Sequence, residues 1–192
     1  MIAQVTDAIA GAGAPLDRDG AAALIAAAVD ATAPSGSVVG LEQLARCLVR
    51  LGDRVGHSAH RPVRTVACTI RAWLGHVGVA RDDGHVPAEL VLWLAWADGL
   101  RCRDDAPRQH RVPAAWRILA VDDALGARMA MQRRGAPAGA WLPLVANHYG
   151  DHHVFVVERN AVAVQSRDEL APPAHTATRL LDYASALLAA WA

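Results

Sequence analysis

The densest run of side chains able to do chemistry is Asn147-His148-Tyr149-Gly150-Asp151-His152-His153. Imidazole and carboxylate are zinc-ligand types, but the spacing argues against a shared ion. Helical zinc motifs set two His one turn apart on a single face, whereas Gly150 marks a hairpin turn here. On the strand that follows, His152 and His153 point to opposite faces. The run reads first as a solvated turn, with a partner-contacting loop or a metal site as alternatives. Nucleophilic chemistry finds less support. There is no GxSxG elbow, and Cys47, Cys68 and Cys102 lie far apart with no CxxC pair. The pairs Asp82-Asp83, Asp104-Asp105 and Asp122-Asp123 read as helix caps and solubility features. The glycine-rich stretch GAGAPLDRDG does not match GxxxxGK[ST]. No catalytic residue, metal or cofactor is assigned from the sequence, and an enzyme is not expected.

A nucleic-acid role would need a basic face. Arg46, Arg50 and Arg54 recur along one helix and could form such a stripe, but no second helix with exposed polar base readers follows. The stripe reads as a solvated helix face.

These residues are positioned by elements that hydropathy spacing outlines. Ala-rich residues 1–33 favour helix, with Asp19 as a cap and Pro34-Ser35-Gly36 as a stop. Leu41, Leu44, Ala45, Leu48 and Leu51 recur at helical spacing. Gly56 to Pro62 is the best linker candidate. A helix over 63–77 follows, with Val66, Ile70, Trp73, Leu74 and Val77 as its apolar stripe. Pro87 is placed at the opening of the next helix, and Gly99 at its stop. Beyond residue 100 the texture changes. Strands are expected at 116–121, 141–147, 152–158 and 161–166, with a helix from Asp122-Asp123 and a last helix over 174–191. Short connections between the last three strands require antiparallel pairing, because parallel strands need a long crossover. The expected class is α+β: a twisted antiparallel sheet flanked by helices, with a helical extension over 1–60 and an α+β domain over 64–192.

Composition narrows the classes further. The chain has 192 residues, 53% of them hydrophobic, and no net charge, so nothing pulls it as a whole toward nucleic acid. Its 19 basic residues are all Arg, and six of its nine aromatic residues are Trp. No apolar run reaches the roughly 20 residues of a membrane helix. The opening residues lack the basic start of a secretory signal. With no cysteine framework, a reducing cytoplasm is the expected compartment.

Several landmarks of the C-terminal two-thirds fall in a telling order. Val86-Pro87 precedes a helix that ends at Asp98-Gly99. Trp141-Leu142-Pro143-Leu144 opens a strand, and Gly150-Asp151 precedes the next, His153-Val154-Phe155-Val156-Val157-Glu158. Val162 begins a further strand, and an amphipathic helix closes the chain. In this pattern residues 64–192 resemble the SUKH superfamily of bacterial immunity proteins. The chain departs from it where Gly99 stands alone in place of a glycine-rich turn, and where His148-Tyr149 replaces small polar residues. The resemblance implies a non-catalytic protein that binds and neutralises a cognate toxin domain, such as a nuclease, with no membrane and no nucleic acid as partner. The candidate contact residues are then Trp141, His148, Tyr149, Asp151 and Glu158, around the sheet face that helices leave open. Tyr149 or Trp141 would be the anchor, and the acids would face a basic substrate groove. The alternatives are a nucleic-acid-binding or regulatory protein using the N-terminal helices, and a metal hydrolase using the His cluster.

Overall fold

A computed structural model of the chain describes residues 38–55, 61–78, 86–98, 116–169 and 178–190. The helices expected in 1–33, Asp19, Gly56 to His60, Asp82-Asp83, Gly99, Cys102 and Asp104-Asp105 lie outside the described residues. Among the described residues, five helices pack around a five-stranded sheet in the order β1-β2-β3-β4-β5, every pair antiparallel. The α+β class is therefore as expected.

The helical layer begins with α1, Val38–Val55. Its stripe of Leu41, Leu44, Ala45, Leu48 and Leu51 is buried as the spacing predicts. Although this helix lies inside the expected N-terminal extension, its stripe belongs to the same core as the sheet residues Leu142 and Phe155. Helix α2, Val63–His76, buries Val63, Val66, Ala67, Ile70 and Leu74, and leaves Trp73 half-buried.

Helix α3, Ala88–Ala97, is buried on every side except at Glu89. Its apolar run AELVLWLAWA makes it the central rod of the layer. The rings of Trp93 and Trp96 meet at 5.5 Å, tilted, within the range of favourable aromatic pairs. Pro87 stands one position outside the helix, as its extended N-cap. Arg61 ties three segments together. Its guanidinium lies 2.7 Å from Asp98 at the end of α3 and 2.7 Å from Asp122 at the start of α4, Val121–Arg133. Its backbone N–H donates to the carbonyl of Ala95. The hydrogen bond to Asp122 is the main cause that raises the Arg61 pKa, so the cation is held in place.

The sheet is an antiparallel meander. Strand β1, Trp116–Ile118, is shorter than the expected 116–121. Leu119 adds one ladder bond to Leu144, Ala120 is the extended N-cap of α4, and Val121 enters the helix fully buried. The hydrophobicity of Leu119-Ala120-Val121 thus reports burial and not strand. Strand β2, Trp141–Asn147, matches its expected bounds. Pro143 sits in this interior strand, beside a register shift between Pro143 and Val145. A bulge is one of the few places in a sheet that tolerates a missing N–H.

Strand β3, His152–Val156, gives way to a 3-10 turn over Val157–Arg159, where a longer strand to 158 was expected. Asn160 takes a left-handed φ of 48° and returns the chain into β4, Ala161–Gln165. Strand β5, Thr178–Arg179, occupies part of the expected last helix, and α5 begins only at Leu180 and runs to Ala190.

Alternation along β3 divides the core in two. Phe155 joins Leu142, Leu144, Val162 and the helices of the larger core. Val154 and Val156 point the other way and pack with Trp141, Ala163, Met131 and Ala136. Helix α4 and the segment after it therefore cover part of the face expected to be open.

Candidate functional site

The turn between β2 and β3 is built by one asparagine. The Asn147 Oδ1 accepts hydrogen bonds from the backbone N–H groups of Tyr149 and Asp151, each at 2.9 Å. Its Nδ2 donates to Asp151 Oδ2 at 2.9 Å. The second oxygen of Asp151 accepts from the Arg167 N–H at 2.9 Å, which ties the turn to the end of β4. These bonds to the charged form hold the Asp151 carboxyl below its ordinary pKa, Asn147 contributing most. Gly150 completes the turn with a φ of 93°, a conformation that L side chains rarely adopt.

This scaffold carries two rings at its tip. Tyr149 is 63% exposed, and its ring centroid lies 3.7 Å from that of exposed His148. A ring held by a fixed backbone loses little conformational freedom when it meets a partner. The turn can thus present an apolar surface with a phenol at its end.

The remaining contact candidates fall elsewhere. Trp141 is 4% exposed and lies under Arg128, whose guanidinium carbon sits 3.8 Å from the ring centroid. It is a core residue and cannot touch a partner unless Arg128 moves. Arg128 is itself buried, and its Nη2 donates to the carbonyls of Pro137 at 2.7 Å and Gly139 at 3.4 Å. Desolvation lowers its pKa. Glu158 is exposed in the 3-10 turn at the far end of β3, roughly 17 Å of strand away from Asp151. Of the five candidates, the structure brings together His148, Tyr149 and Asp151, with Asp151 acting as part of the scaffold.

The His residues separate as strand alternation requires. His152 pairs across the sheet with Gln165 and borders a small pocket with Met131, Arg134 and Arg167. His153 faces the helices. Its ring stacks on Trp116 with centroids 4.2 Å apart, and its Nδ1 shares a 2.5 Å hydrogen bond with the Tyr183 hydroxyl of α5. Burial is the largest cause lowering the pKa of both His152 and His153, and burial raises that of Tyr183. Among the described residues no group of three His, Cys, Asp or Glu side chains is placed to hold a metal ion. On α1, Arg46 lies 3.5 Å from Glu42, one helical turn away, and both are exposed.

Sequence reasoning missed Asn147 and Arg167 as builders of the turn. Asn at the start of a turn is a recognisable signal for side-chain to backbone bonding. The contact from Arg167 spans 16 positions, so no local pattern could reveal it. Comparison with protein-family models, with curated proteins and with solved structures finds no match. Among the described residues no helix is long and apolar enough to cross a membrane.

Proposed function

We propose that this chain is a non-catalytic immunity protein of the cytoplasm, which binds and neutralises a cognate bacterial toxin domain, such as a nuclease. One observation carries the reading: a turn braced by Asn147 and Asp151 holds an exposed Tyr149. Exposed Tyr on a rigid support is the kind of residue that dominates interface energies. The order of SUKH-like landmarks in residues 64–192 gives the partner class. No cofactor or metal enters the reading.

On this reading Tyr149 is the anchor and His148 packs beside it. Asp151 fixes the turn and lends it negative charge toward a basic nuclease groove. Glu158, at the other end of β3, would make a separate rim contact, acting mainly on the association rate. The test is co-expression with each protein encoded by a neighbouring gene, scored first for toxicity and then for protection by this chain. Wild type should restore growth, and Tyr149→Ala should fail to do so at equal protein level. Salt-dependent binding of duplex DNA by the purified chain, with no protection from the toxin, would favour the nucleic-acid alternative instead.

A further inference from the structure

Five rings stand in sequence from the edge of the sheet into the core. Half-buried Trp116 of β1 stacks on His153 of β3 with centroids 4.2 Å apart. The His153 ring meets Tyr183 of α5 edge-on at 5.3 Å. Tyr183 lies 5.8 Å from Trp93, and Trp93 lies 5.5 Å from Trp96, both indoles fully buried on α3. Steps this short let an electron vacancy pass from ring to ring, so oxidation of one member is shared with the others.

One joint of this chain is also a hydrogen bond, with the Tyr183 hydroxyl 2.5 Å from His153 Nδ1. Among the described residues His153 is the hydrogen-bond partner of that hydroxyl. A hydrogen on Nδ1 would leave the phenol hydrogen unbonded inside the protein, so the hydroxyl donates and Nδ1 accepts. Burial keeps both groups uncharged, raising the pKa of Tyr183 and lowering that of His153. Such a phenol does not ionise before it is oxidised, and loses its electron and its proton together. The neutral imidazole is the base for that step. A phenol that loses both ends as a neutral radical, whereas an oxidised indole must carry a positive charge in an apolar place.

We infer that Tyr183 and His153 form a proton-coupled redox pair, which collects an electron vacancy left on the ring chain by a small diffusing radical and so keeps it from Trp93 and Trp96. The radical takes one electron from Trp116 and becomes its anion. Tyr183 returns that electron to Trp116 across the His153 ring. As it does so its O–H bond breaks, the proton joins His153 Nδ1, and a neutral tyrosyl radical remains. Asp151 favours the resulting imidazolium and His152 disfavours it.

The test is pulse radiolysis of the full chain with the azidyl radical, which becomes azide as it oxidises an indole. The chain has two Tyr, so Tyr149→Phe is the background in which a tyrosyl signal reports Tyr183. Trp radical absorption should decay as tyrosyl absorption rises, at a rate independent of protein concentration and slower in D2O. Tyr183→Phe should abolish the tyrosyl signal, and Trp116→Phe should lower its yield. His153→Gln keeps an acceptor for the hydroxyl but offers no base, and should slow the transfer by about tenfold or more. The solvent comparison needs no change at the pair, so it decides even if His153→Gln misfolds. No tyrosyl radical in the Tyr149→Phe chain, an equal rate in D2O, or an unchanged rate in folded His153→Gln would overturn the inference.

Discussion

At the scale of single residues, His153 is the group whose environment makes the sharpest claim. It is wedged between Trp116 and Tyr183, and desolvation lowers its pKa below the ordinary value of 6.5. His152, on the opposite face, is lowered for the same leading reason. A His whose folded pKa is depressed binds its proton more readily in the unfolded chain. Its contribution to stability is present in full above about pH 6.5 and is lost as pH falls below that value. Melting temperature should therefore hold level above neutrality and decline through the mildly acidic range, and His153→Gln should flatten the decline. Asp151 acts lower on the pH scale, where protonation removes its bonds to Asn147 and Arg167. Trp141 makes a second residue-scale case. Its large ring suggested an anchor, yet Arg128 seals it into the smaller core. Nothing local in the sequence could show this, because an Arg on an amphipathic helix ordinarily faces water. Arg128→Ala should destabilise the chain by about 2 to 3 kcal/mol in urea titration, from lost packing and the exposed Trp141 face.

At the scale of elements, the legible parts were those whose signal is local. The apolar runs in WLPLVAN and HHVFVVE outlined β2 and β3, the second two residues past the observed end of its strand, and the Leu spacing outlined α1. Thr178–Arg179 was not legible, since two residues cannot show a period, and pairing with Ala161 and Val162 defines that strand. Val121 misled for the opposite reason, because a β-branched residue buried at a helix start looks like the end of a strand. The Arg61 junction was equally hidden, as its partners lie far along the chain at Asp98 and Asp122. Removing its guanidinium leaves the largely buried Asp98 carboxylate without this cation, so Arg61→Ala should lower stability by about 2 kcal/mol. Exposed Arg46→Ala, which loses only a surface pair with Glu42, should change it by under about 0.5 kcal/mol. Parallel denaturant titrations compare the two directly. The turn between β2 and β3 behaves as an element in its own right. Asn147→Ala should leave the fold intact yet loosen Tyr149, visible as faster amide hydrogen exchange at Tyr149 and Asp151.

For the whole molecule, the larger of the two cores joins the helical layer to one face of the sheet, with α1, α3 and α5 packing against Leu142 and Phe155. That core holds the β2–β3 turn at one end of the sheet, braced from β4 through Arg167. Fold class was legible from patterning, whereas the braced turn was only half visible, because its Asn147 and Asp151 are local but Arg167 is not. Of the residues named from sequence, His148 and Tyr149 are the exposed side chains of that turn, with Asp151 beneath them. The direct measurement is titration calorimetry of the full chain with the toxic protein that the co-expression test identifies, comparing wild type, Tyr149→Ala and Glu158→Ala. The account predicts that Tyr149→Ala loses about 2 kcal/mol or more of binding, roughly thirtyfold in affinity, with an unchanged melting temperature. Glu158→Ala should lose less than half of that. Wild-type affinity in Tyr149→Ala, or no binding by the wild-type chain, would contradict it.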